Sequence, residues 1–191
     1  MHNKRMIAYI IDIILITSIL MLLFNFLPNN SNKIQTEIDE IGIEYASGEM
    51  GKMTYFMTLS SLEKDLDQKQ ALEIVINSVL IIIYYILIPY ICDGKTLGKR
   101  IMRIKTVSKN NKKINLMSLF IRTFIIDGLL SSILIIFAIY MIPKLFYLSF
   151  VSILAILQLL ALIVSYFMIK YRRDSLGLED ILSQSKVVKL D

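Results

Sequence analysis

The sequence predicts an all-α membrane protein: a four-transmembrane-helix bundle with cytoplasmic termini and a small cytoplasmic β flap. Composition is the first reason. Of 191 residues 55% are hydrophobic, with a mean hydropathy of +0.62, and they gather in long blocks rather than in the short runs of a soluble domain. Block length is the second. Residues 6–27, 72–91, 116–142 and 145–169 each reach the roughly 20 residues that a helix needs to cross about 30 Å of hydrocarbon. Charge is the third. Residues 28–73 carry four basic and nine acidic side chains, whereas residues 92–115 carry eight basic and one acidic. Lysine and arginine concentrate on the cytoplasmic side. The 92–115 loop, the N-terminus and the 170–191 tail are therefore assigned inside, and the 28–71 insert outside. The chain reads as one domain over 1–191.

Each element follows from its pattern. Lipid offers backbone groups no hydrogen-bond partner, so the spans are helices, and none shows barrel alternation. The first block contains Asp12 and no small-x-small cleavage site, so it reads as a retained span rather than a cleaved leader. In the insert, Ile34, Ile38, Ile41 and Tyr45 recur at helical spacing opposite Glu37, Asp39, Glu40 and Glu44, an amphipathic helix ended by Gly48 and Gly51. "SSLE", Ser60 with Glu63, reads as a capping box starting a helix that runs into the second span. The insert is expected to lie on the outer membrane surface or the bundle; a lid or docking surface is the sharper reading. In the loop, Thr96–Met102 predicts a short basic helix. "RIKTV" and "KKINL" alternate around "SKNN" as a hairpin, and "SKVVKL" in the tail predicts a third strand. Such a flap ties the C-terminus to the loop and holds Asp180 near the membrane surface.

Several functions are excluded. "GKTLGKR" has one residue too few between its glycines for a phosphate-binding loop, and arginine follows where serine or threonine is needed. Cys92 is the single cysteine and His2 the single histidine, which leaves no internal disulfide, no metal site and no cofactor to expect. Cys92 reads as an ordinary interfacial residue. No serine, threonine or cysteine has an identifiable base, so no enzyme is expected. The net charge of +5 is explained by basic residues flanking spans, where they meet anionic lipid headgroups rather than nucleic acid.

The order of motifs resembles one family. "RMIAYIID", with Arg5 opening the first helix and Asp12 seven residues on, resembles the opening of the RDD family of bacterial membrane proteins. "GKTLGKRIMRIKTV", containing Gly94, Thr96, Gly98 and Lys99, is similar to its G-x-T-x-G-K loop segment. "FIRTF" places Arg122 where the family often has an arginine, and "RRDSLGLEDILSQSKVV" resembles its closing pattern, with Asp180 as the second aspartate. Glu179 departs from the usual histidine, and Ser183–Ser185 from the common A-G-T. The resemblance implies a multi-pass cell-membrane protein with transport-related associations, some to cation/proton exchange.

Helical spacing marks the polar positions independently. Arg5 and Asp12 share a face, continued by Ser18 and Asn25; Asn77 and Tyr84, and Gln158 and Ser165, repeat the seven-residue interval. These seams are expected to face one another, the amides and hydroxyls cementing helices at around 0.6 kcal/mol per contact. Tyr84, Tyr90, Tyr140 and Tyr147 read as interface anchors or packing groups. Asp12 and Asp127 have two readings. A carboxyl group inside a bilayer is suited to trading a proton for a cation, since either neutralises it. Alternatively each is locked in an ion pair, Asp12 with Arg122 or Asp127 with Arg5, and Asp180 is a further partner for Arg5. The first gives ion- or proton-coupled transport, aided by oligomerisation because four helices make a thin pathway. The second suits an accessory, regulatory or scaffold subunit of a membrane complex.

Overall fold

The computed structural model describes residues 2–26, 31–110 and 113–190. Helix α1 covers His2–Phe24, and the insert folds as a helical hairpin of α2 (Asn32–Ser47) and α3 (Lys52–Lys69). Helix α4 (Ala71–Ile82), a π-helical turn over Ile83–Leu87 and α5 (Ile88–Ile91) run on as one rod. The loop contributes α6 (Leu97–Ile101) and strand β1 (Ile104–Ser108). Helices α7 (Leu116–Ile126), α8 (Leu129–Met141) and α9 (Lys144–Tyr171) follow, then α10 (Leu178–Leu182) and strand β2 (Ser185–Lys189).

Three helical stretches, 2–24, 71–91 and 144–171, are long and apolar enough to cross a membrane, and α7 with α8 makes a fourth if the bent pair counts as one span. That third block is the main departure from the predicted spans. It breaks at Asp127 and Gly128 with a bend of 65°, because Gly128 adopts φ +81° and stops α7. Carbonyls freed by such a break are costly in hydrocarbon. Gln158 of α9 satisfies them: its Nε2 donates to Ile126 O at 2.8 Å and Ile125 O at 3.3 Å, while its Oε1 accepts from Ser131 at 3.2 Å.

Buried Ile81, Ile86, Ile114, Leu119 and Leu129 pack the rod of α4 against α7 and α8, and Ala138, Ile139 and Tyr147 form a second cluster. Most remaining span surface is apolar and outward, including Ile153, Ile156, Leu160 and Phe167 of α9, as expected where lipid is the solvent. Not every predicted seam turns inward. Ser18 and Asn25 are exposed, and Ser18 bonds its own helix at Ile14 O, 2.7 Å away. A hydroxyl can satisfy itself on the preceding turn, so spacing alone does not force it inside.

Among the described residues the flap has two strands, not three. β1 pairs antiparallel with β2, Thr106 opposite Val187, so the tail takes the place predicted for "KKINL". Ile114 is only 2% exposed and anchors that segment in the core, which withdraws it from the sheet; residues 111–112 lie outside those described. The short helix predicted at 96–102 is α6, with Thr96 as its N-cap, its hydroxyl accepting from Lys99 N at 3.3 Å.

The insert is also corrected. α3 begins at Lys52, not at Ser60, and Ser60 is fully buried within it. Its hydroxyl enters the first turn of α9, accepting from Leu148 N at 3.1 Å and donating to Lys144 O at 2.5 Å. Tyr147 donates to Asp67 and Lys144 to Asp65, each at 2.5 Å, and Lys64 donates to Ile142 O at 2.6 Å. The hairpin is thus fastened to the α8–α9 turn, and Tyr147 is the packing group of its two expected roles, with a hydrogen bond to Asp67 besides. The α2 pattern holds: Ile34 and Ile41 are buried, and Tyr45 stacks on Tyr55 at 4.5 Å.

Candidate functional site

Asp12 sits on the inner face of α1 and is 1% exposed. Its carboxylate accepts from the Tyr84 hydroxyl, from Thr96 Oγ1 at 2.6 Å and from Gly98 N at 2.7 Å. The π-helical turn aims Tyr84 at this carboxylate and leaves adjacent Tyr85 edge-on, ring centroids 5.1 Å apart. A π turn inserts an extra residue and is a recurrent device for re-aiming side chains. The loop motif now has a physical reading. A Cβ on Gly98 would lie 2.2 Å from Ala8 O and 2.8 Å from Asp12 Oδ1, and one on Gly94, at φ +81°, would lie 1.9 Å from Thr106 O. Only glycine allows α6 to lie on α1 and the loop to close on β1.

Arg5, Arg122 and Asp180 meet at the end of the bundle that holds both termini. Arg5 donates to Asp180 Oδ2 at 2.5 Å, Glu179 Oε1 at 3.1 Å and Ser175 O at 2.8 Å. Arg122 bonds the other oxygen of Asp180 and Ser185 Oγ at 2.6 Å, with Glu179 3.8 Å away. Ser165 of α9 donates to Glu179, and Gly177 N to Asp180 at 3.0 Å. Burial pushes the Asp180 carboxyl up, but Arg122 and Arg5 with the Gly177 N–H outweigh it and hold it below its ordinary range. The short α10 therefore ties α1, α7 and α9 together. Neither Asp12–Arg122 nor Asp127–Arg5 forms; of the predicted partners, Arg5 with Asp180 does.

Between these two centres lies a cavity of about 290 Å³, reached by Arg5, Asp12, Lys99, Arg122, Asp127 and Glu179 amid apolar and tyrosine side chains. Asp127, at the break, lies about 16 Å along α7 from its start. The Thr123 side chain reaches it, and no basic side chain among the described residues forms an ion pair with it. Half-buried Lys99 donates to Thr106 Oγ1 at 3.1 Å. Burial, then Arg122, pushes its ammonium down to about 8, against the pull of Asp127 and Asp12. Among the described residues no group of His, Cys, Asp or Glu is arranged to hold a metal ion.

Sequence reasoning named Asp12, Asp127, Arg5, Arg122, Asp180 and the loop residues Gly94, Thr96, Gly98 and Lys99. It missed Glu179 and Ser165 as partners in the ionic centre, and Tyr84 as the donor to Asp12. The adjacency of Glu179 to Asp180, and the i, i+7 interval from Asn77 to Tyr84, were the available signals. No curated protein and no solved structure matches the chain. The RDD family model matches residues 2–184. With the arginine of α1, the α6 glycine on Asp12 and the tail aspartate all in one constellation, the chain belongs to the RDD family.

Proposed function

We propose that this protein is a proton- or cation-coupled transporter of the bacterial inner membrane, with cytoplasmic termini and Asp127 as the exchanging group. One observation carries the reading. The cavity and its ionic floor count Arg5, Lys99 and Arg122 against Asp12, Asp127, Glu179 and Asp180, one acid in excess. A bound proton or monovalent cation restores neutrality, and a low-dielectric site favours that neutral state. Asp12 is the less suited carboxylate, because three donors already occupy it and release would loosen α6. Asp127 has the Thr123 hydroxyl as its side-chain hydrogen-bond partner and sits at the break of a bent span, an arrangement that transporters use at membrane depth. The basic loop and flap meet anionic headgroups, and a homo-oligomer would widen the pathway.

The test is cation-dependent proton flux in proteoliposomes carrying a luminal pH dye. Asp127→Asn is expected to abolish the flux while the protein stays folded; Asp12→Asn is expected to lower stability and yield, with flux per folded molecule retained. Unchanged flux in Asp127→Asn overturns the assignment. Absence of flux in the unmutated protein, together with a stoichiometric partner in mild detergent, favours the accessory reading, for which the exposed carboxylates of α2 (Glu40 and Glu44) supply a surface.

A further inference from the structure

We propose that the cavity binds a lipophilic organic cation, a quaternary or protonated amine with an apolar body, admitted sideways from the bilayer between α1 and α9. The inference rests on the transport reading for its purpose and names the class of cargo. Three features of the cavity lead to it.

The first is the opening. α1 packs on α4 and α6, while α9 packs on α3, α7, α8 and α10; the two helices are not main partners of each other. They line the same cavity, α1 through Met6 and Ile10, α9 through Leu162 and Ile169. Met6 and Ile10 are 39% and 50% exposed, so the cavity opens on this side. Both helices have the length and hydropathy of spans, and what faces that gap is the acyl region of a leaflet. The His2 and Tyr166 rings, with centroids 5.3 Å apart, mark its end near the ionic floor.

The second is the lining. About 290 Å³ walled chiefly by apolar carbon suits an organic body of the size that small-molecule pockets accept. It does not suit a bare inorganic ion, which needs a shell of oxygens to replace its water. The oxygens of Asp12, Glu179 and Asp180 are already engaged by hydroxyl, amide and guanidinium donors. Tyr9, Tyr85 and Tyr166 also line the space, and aromatic faces attract ammonium groups once water is excluded.

The third is charge. The acid in excess resides at Asp127, which lies within electrostatic reach of both Tyr9 and Tyr85. An ammonium beside Asp127 and these rings neutralises the site, while its apolar body extends toward Met6 and Ile10. Three cations face an anion here, but Arg5 and Arg122 are engaged by Glu179 and Asp180, which leaves Lys99. It sits on the flap side, hydrogen-bonded to Thr106 at 3.1 Å, and the surplus of acid outweighs it.

Benzyltrimethylammonium is the probe and benzenesulfonate the anionic control, each titrated calorimetrically against the full chain in nanodiscs of zwitterionic lipid. Saturable binding of one benzyltrimethylammonium per chain is expected, weakened about tenfold or more by Asp127→Asn and Tyr85→Leu and retained by Tyr85→Phe. Ile10→Trp, which fills the opening, should slow or abolish it. Thermal melts of the Tyr85 pair separate loss of the site from loss of the fold. Equal affinity in the unmutated protein and Asp127→Asn, or preference for benzenesulfonate, overturns the proposal. Sodium-dependent proton flux without benzyltrimethylammonium binding sinks this inference and spares the transport reading. Binding without any proton movement does the reverse.

Discussion

Gly98 donates its backbone N–H to Asp12 at 2.7 Å, and a methyl on its α-carbon would stand 2.2 Å from the Ala8 carbonyl. The loop after the second span is therefore keyed to the first span by the absence of a side chain on one partner and a buried carboxylate on the other. Gly98→Ala should lift α6 from α1. Asp12→Ala leaves three donors without an acceptor, at a cost of about 3 kcal/mol or more. Thermal unfolding in detergent reads both losses, and faster amide exchange over residues 95–102 localises them; normal exchange there in either variant would contradict the keying.

The ionic centre makes a signed prediction about pH. Asp180 is held below its ordinary 3.8, so the unfolded chain takes up the proton first. Its contribution is complete above about pH 4 to 5 and disappears as pH falls through the lowered value. Compared with Asp180→Asn, the unmutated protein should hold a constant stability advantage from pH 7 to about 5 and lose it below 4. Removing one member of such a buried pair costs about 3–5 kcal/mol, so the advantage is large enough to follow by denaturant titration.

Lys99 runs the other way. Its ammonium, pushed down to about 8 by burial and Arg122, binds fewer protons folded than unfolded between that value and 10.5. Stability gains from this residue as pH rises through that interval. Reductive ¹³C-methylation should give one lysine resonance titrating near 8, absent in Lys99→Met, and the stability rise above pH 8 should shrink in the same variant.

The broken third span depends on a single amide. Gln158 supplies the Ile126 carbonyl with its donor at 2.8 Å. Gln158→Leu is expected to destabilise by about 1–3 kcal/mol, the cost of an unsatisfied buried carbonyl, whereas Gln158→Asn, being shorter, rescues little. A melt unchanged in Gln158→Leu would show that the break draws its support elsewhere.

The sequence made some of this legible and hid the rest for identifiable reasons. The long apolar helices and the buried face of α2 were readable because hydropathy and the 3.6-residue period are local properties, and Ile34 and Ile41 are buried as that period requires. The choice of partners was not. Arg5 and Asp12 share a face, yet one finds the tail and the other the α6 amide, since seven residues along α1 separate two different layers. Ser60 resembled a helix start because Ser-x-x-Glu also occurs inside helices; only the first turn of α9, far along the chain, reveals its role. "KKINL" alternated as a strand should, but Ile114 gained more from the core than from a ladder. Nothing in a single sequence weighs such competing burials.

The partner of Arg5 lies 175 positions downstream. During synthesis the first helix reaches the membrane long before Glu179 and Asp180 leave the ribosome. Two guanidiniums on separate helices, Arg5 of α1 and Arg122 of α7, wait uncompensated until α10 is made. A chain lacking α10 leaves the guanidiniums of Arg5 and Arg122 without their carboxylate partners. The settling of α1 and α7 is thus tied to a segment made much later than either helix.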